Sequence, residues 1–207
     1  MKKQTLLGVV AVLMFVGALS AAEPRVIFED RFDGKLGEGW NWLRENPKTW
    51  RFKDGALEIR VEPGVAPTVK NALVRKAPDR TKGKYAVEVT ITFTSPPTNP
   101  FEQAGITWYR DGKPEWKLVH ELVKGKICVI PSATPTSTNT VELRLILTKD
   151  QLTAQVRPDG KGEFKTVGTR PLAASDNEQV SIQCYNGPAK EDHWMRFDDF
   201  RIVELPE

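Results

Sequence analysis

Residues 84–93 read KYAVEVTITF, and this stretch decides the fold class of the chain. Its larger apolar residues recur at every second position, and they are Tyr85, Val87, Val89, Ile91 and Phe93. Because successive side chains of a β-strand point to opposite faces of a sheet, the pattern predicts a strand with one buried face. A helical period is hard to find anywhere after residue 24, so the chain is predicted to be all-β.

The same alternation recurs in further segments, which include residues 57–61, 141–148 and 152–157. Turn sequences such as Asp111-Gly112 separate these segments. About a dozen short strands at this spacing are typical of a single-domain sandwich or barrel. We predict a two-sheet antiparallel β-sandwich over residues 23–207. Its predicted core contains Tyr85, Val87, Val89, Ile91, Phe93, Ile106, Trp108, Leu118, Leu143, Leu145, Ile182 and Phe200.

The first 22 residues have the pattern of a secretory signal peptide. A positively charged start is followed by an apolar run over residues 6–19 and by small residues at positions 20–22. We expect cleavage after Ala22 and a mature chain that is secreted or periplasmic. The run is short for a membrane span of about 20 residues, and an uncleaved anchor is the alternative.

The two cysteines have two alternative states in such a compartment. Cys128 and Cys184 could form a disulfide where the surroundings are oxidising. Each lies in an apolar, strand-like stretch in which a buried free cysteine is equally natural. The sequence leaves both states open.

Charge and composition exclude several classes of function. The chain has 207 residues with 30 Lys and Arg against 27 Asp and Glu, and two of the lysines lie in the predicted leader. The mature chain is therefore close to neutral, which argues against a nucleic-acid-binding or membrane-surface protein. Two cysteines and two histidines are too few for a multi-disulfide scaffold or a Cys-rich zinc module. We expect a monomer with no nucleic-acid partner and no membrane contact after leader removal.

Two strands in the middle of the chain carry polar side chains on the face turned away from the core. Residues 102–109 and 116–123 each alternate between an apolar and a polar set. Sugars offer hydroxyl groups to charged and amide side chains and C–H faces to aromatic rings, so we predict a carbohydrate-binding face. Its predicted ligand-binding residues are Gln103, Tyr109, Lys117, Glu121 and Arg144, with Ser181, Gln183 and Tyr185 beside them. The alternative is an ordinary solvated face of an antiparallel sheet.

Lys117 and Glu121 lie on one face of one predicted strand, four residues apart. At about 3.3 Å per residue, their Cα atoms are about 13 Å apart. A direct ion pair therefore needs their long side chains or help from a neighbour such as Gln103 or Arg144.

Several short motifs together resemble one family of sandwiches. In chain order they are FEDRF at 28–32, EQAGI at 102–106, WKLVHE at 116–121, VELR at 141–144, PDG at 158–160 and FDDF at 197–200. This series resembles the concanavalin A-like family that includes the C-terminal sandwich of family-43 β-xylosidases and the domains related to the yeast regulator of enolase. The resemblance implies a concanavalin A-like jelly roll over nearly the whole mature chain. The spacing of Lys117 and Glu121 matches the family pattern, whereas His120 stands where an aliphatic residue is usual.

A second resemblance is to extracellular bacterial sandwiches similar to 3-keto-disaccharide hydrolases. These share the opening Phe-x-Asp-x-Phe strand and the closing Phe-Asp-Asp-Phe-Arg-Ile sequence. They usually carry a Ser-Gly pair where this chain has Gln103-Ala104-Gly105, so this family ranks second.

No catalytic constellation is recognised in the sequence, and no catalytic residue is assigned. A retaining glycosidase needs two carboxylates about 5 Å apart, but Glu121 is the lone acid on its strand face. A pair with Lys117 would hold Glu121 ionised, which is the wrong state for a general acid. His120 is expected to be a hydrogen-bonded residue of the core, and His193 lies near a loop. If the protein is an enzyme, we expect a glycoside hydrolase.

Acidic residues near the two ends of the mature chain suggest a metal site. In concanavalin A-like sandwiches the first and last strands often lie side by side, which would bring Asp30 and Asp199 together. Ca²⁺ suits carboxylate and carbonyl oxygens, and it is the one cofactor that the sequence suggests. The alternative is that these acids cap strand ends and pair with arginines such as Arg31 and Arg201.

These observations predict an exported, non-catalytic carbohydrate-binding or interaction domain that uses its polar sheet face. Two other functions stay open. One is an extracellular glycoside hydrolase acting on oligosaccharides or 3-keto-glycosides, and the other is a structural protein-interaction domain.

Overall fold

The computed structural model describes residues 23–158 and 161–206 as two packed antiparallel sheets. The predicted signal peptide and two residues of the PDG motif lie outside the described residues. The first strands are β1 (Arg25–Asp30), β2 (Asn41–Leu43), β3 (Trp50–Lys53), β4 (Ala56–Arg60), β5 (Ala72–Lys76), β6 (Lys84–Phe93), β7 (Gln103–Arg110) and β8 (Lys113–Val123). The later ones are β9 (Lys126–Ile130), β10 (Thr134–Pro135), β11 (Thr140–Leu147), β12 (Gln151–Pro158), β13 (Lys165–Pro171), β14 (Glu178–Tyr185) and β15 (Trp194–Leu205).

One sheet has eight strands and the other has seven. The eight-stranded sheet has the order β13-β12-β11-β6-β15-β4-β3, with β1 also paired to β15. The seven-stranded sheet has the order β10-β9-β8-β7-β14-β5-β2. The described ranges contain no helix, and hence no helix that could cross a membrane. The predicted all-β, two-sheet antiparallel sandwich is confirmed.

The core lies between the sheets and is built by the alternation seen in the sequence. All twelve residues predicted for the core are buried and belong to one continuous cluster. Val87 and Val89 of β6 are fully buried on the side of the eight-stranded sheet. Ile106 and Trp108 of β7 are fully buried on the side of the seven-stranded sheet. Burial of this much apolar surface is the main force that holds the two sheets together.

Strand β15 joins distant parts of the eight-stranded sheet. One side of β15 pairs with β6, while the other side pairs first with β4 and then with β1. The exchange of partner coincides with a bulge between Asp198 and Arg201, where Asp199 has a left-handed φ of 48°. The first and last strands are therefore neighbours, with Arg25 opposite Glu204.

The two cysteines lie on opposite faces of the seven-stranded sheet. Cys184 points into the core, where its thiol donates to the Ile59 carbonyl oxygen at 3.5 Å, and burial raises the pKa of this thiol well above its ordinary value. Cys128 is the register partner of Glu121 on the outer face. Both are free and buried, so the disulfide alternative does not apply in this structure.

Candidate functional site

The outer face of the seven-stranded sheet carries a set of polar side chains at its centre. Strand register places Gln103 of β7 opposite Glu121 of β8 on one side and opposite Tyr185 of β14 on the other. The next two outward positions along β7 and β8 hold Gly105 opposite Val119 and then Thr107 opposite Lys117. The alternation therefore predicted correctly that these strands share one polar face.

Lys117, Gln103 and Glu121 form one hydrogen-bonded group on this face. The Lys117 ammonium donates to Gln103 Oε1 at 2.7 Å and to Glu121 Oε2 at 2.9 Å. Gln103 and Glu121 are buried, whereas the Lys117 side chain keeps 34% of its surface exposed. The long lysine side chain and the Gln103 amide thus bridge the distance between positions 117 and 121, as the strand spacing requires.

These three residues line an open cleft of about 480 Å³, which we call the cleft. Its remaining lining comes from the segment 64–67 and from Phe101, Tyr185 and Asn186. Burial, with a smaller contribution from Glu121, raises the pKa of Tyr185 far above its usual range, so its hydroxyl stays protonated. The cleft therefore offers a phenol, an amide, an ammonium and a carboxylate in one place.

Two apolar side chains stand exposed at the cleft, and sequence reasoning missed both. Phe101 is 54% exposed and Val65 is 57% exposed. Phe101 precedes Glu102 at the end of a proline-rich loop, a position that periodicity does not assign to either face. The one feature of the sequence that could have pointed to Phe101 is its place two positions before the polar Gln103.

Tyr109 lies on the same face but is closed off from solvent. It is 1% exposed, its hydroxyl donates to Gln183 Oε1 at 2.9 Å, and the carbonyl oxygen of Ala66 lies 3.4 Å from the same hydroxyl. Burial raises the pKa of Tyr109, so the phenol remains a donor. Tyr109 supports the segment that lines the cleft rather than lining the cleft itself.

Arg144 is not on this face, which corrects the predicted grouping. It belongs to β11 in the eight-stranded sheet, where its Nε donates to Glu88 Oε1 at 2.6 Å. Alternation shows which side of its own strand a residue occupies, but it does not show which sheet receives the strand. Glu142, which shares that strand, pairs with Arg157 in the same sheet.

We call this second polar surface the arginine face. It consists of Glu88, Glu142, Arg144, Arg157, Arg201 and Phe164. Arg201 approaches Glu88 at 3.1 Å and Glu142 at 3.6 Å, so it links the two carboxylates. The Phe164 ring covers Arg144 and Arg157, with guanidinium carbons 3.6 and 4.4 Å from its centroid.

The predicted metal pair is near in register but does not fit a cation. The Asp30 carboxylate accepts hydrogen bonds from Phe32 N at 2.8 Å, Gly37 N at 2.7 Å and Trp40 Nε1 at 2.9 Å. These N–H groups present positive charge where Ca²⁺ would have to bind, so Asp30 instead fixes the loop after β1. Asp199 is exposed at the bulge of β15. No group of three His, Cys, Asp or Glu residues suited to a metal occurs in the described parts of the chain.

The two histidines are both buried and hydrogen-bonded. His120 Nε2 lies 2.8 Å from Thr136 Oγ1 on the core side of β8, and burial lowers its pKa to about 4. His193 Nδ1 lies 2.8 Å from Glu102 Oε1. His120 thus occupies the core position that the alternation predicted, and neither histidine lines the cleft.

Comparison with known proteins gives structural likeness without a sequence family. No family model matches the chain, and no curated protein matches it. Among solved structures, a mutant (K247S) of the GH43 protein BlXynB from Bacillus licheniformis has a TM-score of 0.70 at 20% identity, over 86% of this chain and 39% of that one. The Bacteroides ovatus protein Xyloglucan PUL GH43B has a TM-score of 0.69 at 17% identity, over 93% of this chain and 42% of that one.

A third similar structure is a smaller protein. The CBM2 module of the evolved Dit protein from Lactobacillus casei BL23 phage J-1 has a TM-score of 0.59 at 10% identity, over 89% of this chain and 97% of that one. The present chain spans about two fifths of the length of the two GH43 proteins. At these identities the likeness establishes the sandwich fold.

Proposed function

We propose that this protein is an exported, non-catalytic carbohydrate-binding domain that holds its ligand in the cleft, on a concanavalin A-like sandwich. The observation that supports this most directly is the composition of the cleft. A prearranged Lys117–Gln103–Glu121 group lies beside the exposed aromatic ring of Phe101. Binding sites of this kind combine a few fixed polar groups with apolar surface.

The fold comparisons support a carbohydrate-related role. The similar structures include GH43 proteins and a module described as a CBM. Another is described among endo-acting O-glycanases of the human gut microbiota, with a TM-score of 0.56. These proteins share the sandwich fold with the present chain.

The charges in the cleft favour binding over hydrolysis. Among the residues that line it, Glu121 is the one carboxylate, and Lys117 pairs with it at 2.9 Å. Hydrolysis by the usual mechanisms needs two carboxylates that flank the scissile bond. We therefore expect retention of a glycan without release of product.

A screen of the mature chain, residues 23–207, tests this proposal. Xylan, other plant and algal polysaccharides and 3-keto-glycosides are read for retention on an affinity gel and for product release. Lys117→Met should abolish retention. Arg144→Met is the matched control, because it also removes a cation from a buried carboxylate but lies in the other sheet.

Three outcomes would contradict parts of the proposal. Product release would show an enzyme, and equal retention by the two variants would place the site elsewhere. Absence of retention together with capture of a protein partner would favour an interaction domain. Amino-terminal sequencing of protein recovered outside the cytoplasm checks export, since cleavage after Ala22 leaves Glu23 as the first residue.

A further inference from the structure

Phe101 combines two features that folding alone does not favour. Its side chain is 54% exposed, although burial of a phenyl ring stabilises a folded protein. Its φ is 65°, in the left-handed region that is a genuine outlier for a bulky residue. Strained backbone of this kind persists where the surrounding structure enforces it, and it clusters at ligand-binding sites.

Both backbone groups of Phe101 are held in place. Its N–H donates to the Leu122 carbonyl oxygen at 2.8 Å, and its own carbonyl oxygen accepts from Gln103 Nε2 at 2.7 Å. Gln103 also accepts from Lys117. The amide of Gln103 therefore connects the backbone of Phe101 to the Lys117–Glu121 pair.

A buried carboxylate anchors the loop immediately before this ring. Glu102 is fully buried, and its Oε2 accepts from Thr98 N at 3.0 Å and from Asn99 N at 3.3 Å. Its Oε1 lies 2.8 Å from His193 Nδ1. Because a buried charge is costly unless it is fully hydrogen-bonded, this network fixes the loop rather than letting it vary.

Two asparagines tie the same loop to the opposite side of the cleft. Asn99 Nδ2 donates to the Asn186 carbonyl oxygen, and Asn186 Nδ2 donates to the Pro100 carbonyl oxygen, both at 2.7 Å. Asn186 itself lines the cleft and has a left-handed φ of 64°. The position of Phe101 is therefore determined from both sides.

The charges that line the cleft cancel one another. Lys117 and Glu121 are its two charged lining residues, and they pair at 2.9 Å. The Tyr185 hydroxyl is protonated and neutral. An anionic sugar would compete with Glu121 for Lys117, whereas a neutral sugar can bond to the pair as it stands.

We propose that Phe101 is a stacking platform and that the ligand is a neutral pyranoside of gluco or xylo configuration. This inference rests on the proposed carbohydrate-binding function. Such rings carry equatorial hydroxyl groups around an apolar C–H face, so one face packs on Phe101 while the rim reaches Gln103, Lys117 and Glu121. The volume of about 480 Å³ suits a short oligosaccharide or a chain end.

Titration calorimetry with xylohexaose, cellohexaose and an oligogalacturonate of equal length tests the inference. Phe101→Ala should raise the Kd for the neutral hexasaccharide that binds by about tenfold or more, as loss of an aromatic anchor typically does. Phe101→Gly should weaken binding equally but melt at a higher temperature than Phe101→Ala, because glycine relieves the left-handed backbone. Ile27→Ala, which alters an exposed apolar residue outside the cleft, should leave the Kd unchanged.

The outcomes separate this inference from the proposed function. If Phe101→Ala and Phe101→Gly keep wild-type affinity while Lys117→Met loses it, the platform is wrong and the cleft function stands. If the oligogalacturonate binds as tightly as the neutral sugars, the assignment of a neutral ligand is wrong. If the wild-type protein binds none of the three but retains another glycan in the affinity screen, this inference is wrong and the proposed function stands; if it retains no glycan at all, both proposals fail. Should Phe101→Ala fail to fold, Phe101→Gly still decides the question.

Discussion

The two outer faces of the sandwich both bury carboxylates beside cations, but they differ in the number of cations on each carboxylate and in where the aromatic side chain lies. On the arginine face, Glu88 and Glu142 are each shared by two arginines, and Phe164 lies over two of the three guanidinium groups, those of Arg144 and Arg157. In the cleft, Glu121 pairs with one lysine whose side chain is 34% exposed, and the aromatic ring stands beside the pair. An ion pair therefore becomes a candidate ligand-binding site when the aromatic ring next to it lies beside the pair instead of stacking on its cation.

The difference follows from the side chains that each sheet carries. Arginine makes flat, forked contacts with carboxylates and with aromatic rings. The arginines of the arginine face are therefore paired with carboxylates and a ring of the same face. Lysine is a point donor with three hydrogens, and Lys117 uses two contacts, to Gln103 and Glu121. A hydrogen of Lys117 remains for a ligand that enters the cleft.

The largest expected effect is on the arginine face. Glu88→Ala should lower the free energy of unfolding by about 2 to 4 kcal/mol, because Arg144 loses its buried partner while Arg201 keeps only Glu142 at 3.6 Å. Chemical denaturation measures the change. Glu88→Gln keeps the oxygen acceptor and should lose less. A loss below about 1 kcal/mol would mean that solvent screens this face as it screens ordinary surface pairs.

In the cleft, Glu121→Ala should cost about 1 to 3 kcal/mol, because Glu121 is 4% exposed and its loss leaves the Lys117 ammonium with one acceptor fewer. The same denaturation assay measures it. Lys124→Ala, at an exposed turn, is the control and should stay within about 0.5 kcal/mol of wild type. If the two variants behave alike, the polar group of the cleft is not preorganised.

Acid should lower the free energy of unfolding through His120 of the seven-stranded sheet. The stabilities of cleft and arginine-face variants are therefore best compared at or above neutral pH. The pKa of His120 is about 4 in the folded protein and 6.5 in its ordinary state, so the unfolded chain binds the proton first as pH falls. Stability should therefore drop below about pH 6.5, by about 2 kcal/mol between pH 7 and pH 5. His120→Gln should flatten this part of the pH profile. An unchanged slope in the variant would assign the loss to other groups.

The smallest expected changes in stability are at the aromatic residues of the two outer faces, Phe164 and Phe101. Phe164→Ala should cost about 1 kcal/mol, because it removes contacts with two guanidinium groups. Phe101→Ala should stay within about 0.5 kcal/mol, because its ring packs on little of the protein. Thermal unfolding of both variants checks the order. A larger loss at Phe101 would show a structural ring rather than one available for a ligand.

Much of the fold was predictable because it depends on alternation within single strands. The run at residues 84–93 gave the correct faces for β6, and the polar positions 103, 117 and 121 were correctly assigned to one face. Arg144 was misplaced because pairing between strands distant in sequence depends on tertiary packing. Nothing in residues 141–148 states that β11 pairs with β6 and β12 in the eight-stranded sheet.

The rim of the cleft was less predictable than its floor. Phe101 and Asn186 lie in loops, where no periodicity assigns a direction to a side chain. Their positions depend on Glu102 and on paired asparagines, and these contacts join residues about 90 positions apart. Asp30 shows the same limit, since its three N–H donors identify it as a loop anchor only once the loop is folded.

The position of β15 also has a consequence for how the chain acquires its structure. Residues 194–205 pair with β6 on one side and with β4 and β1 on the other, so two early strands find their places only against a late one. Arg25 and Glu204 are hydrogen-bonded although they are 179 positions apart in the sequence, and such long-range pairing slows folding. A ribosome-bound chain that has not yet released β15 would present the bare edges of β1, β4 and β6, which are sites for aggregation or chaperone binding.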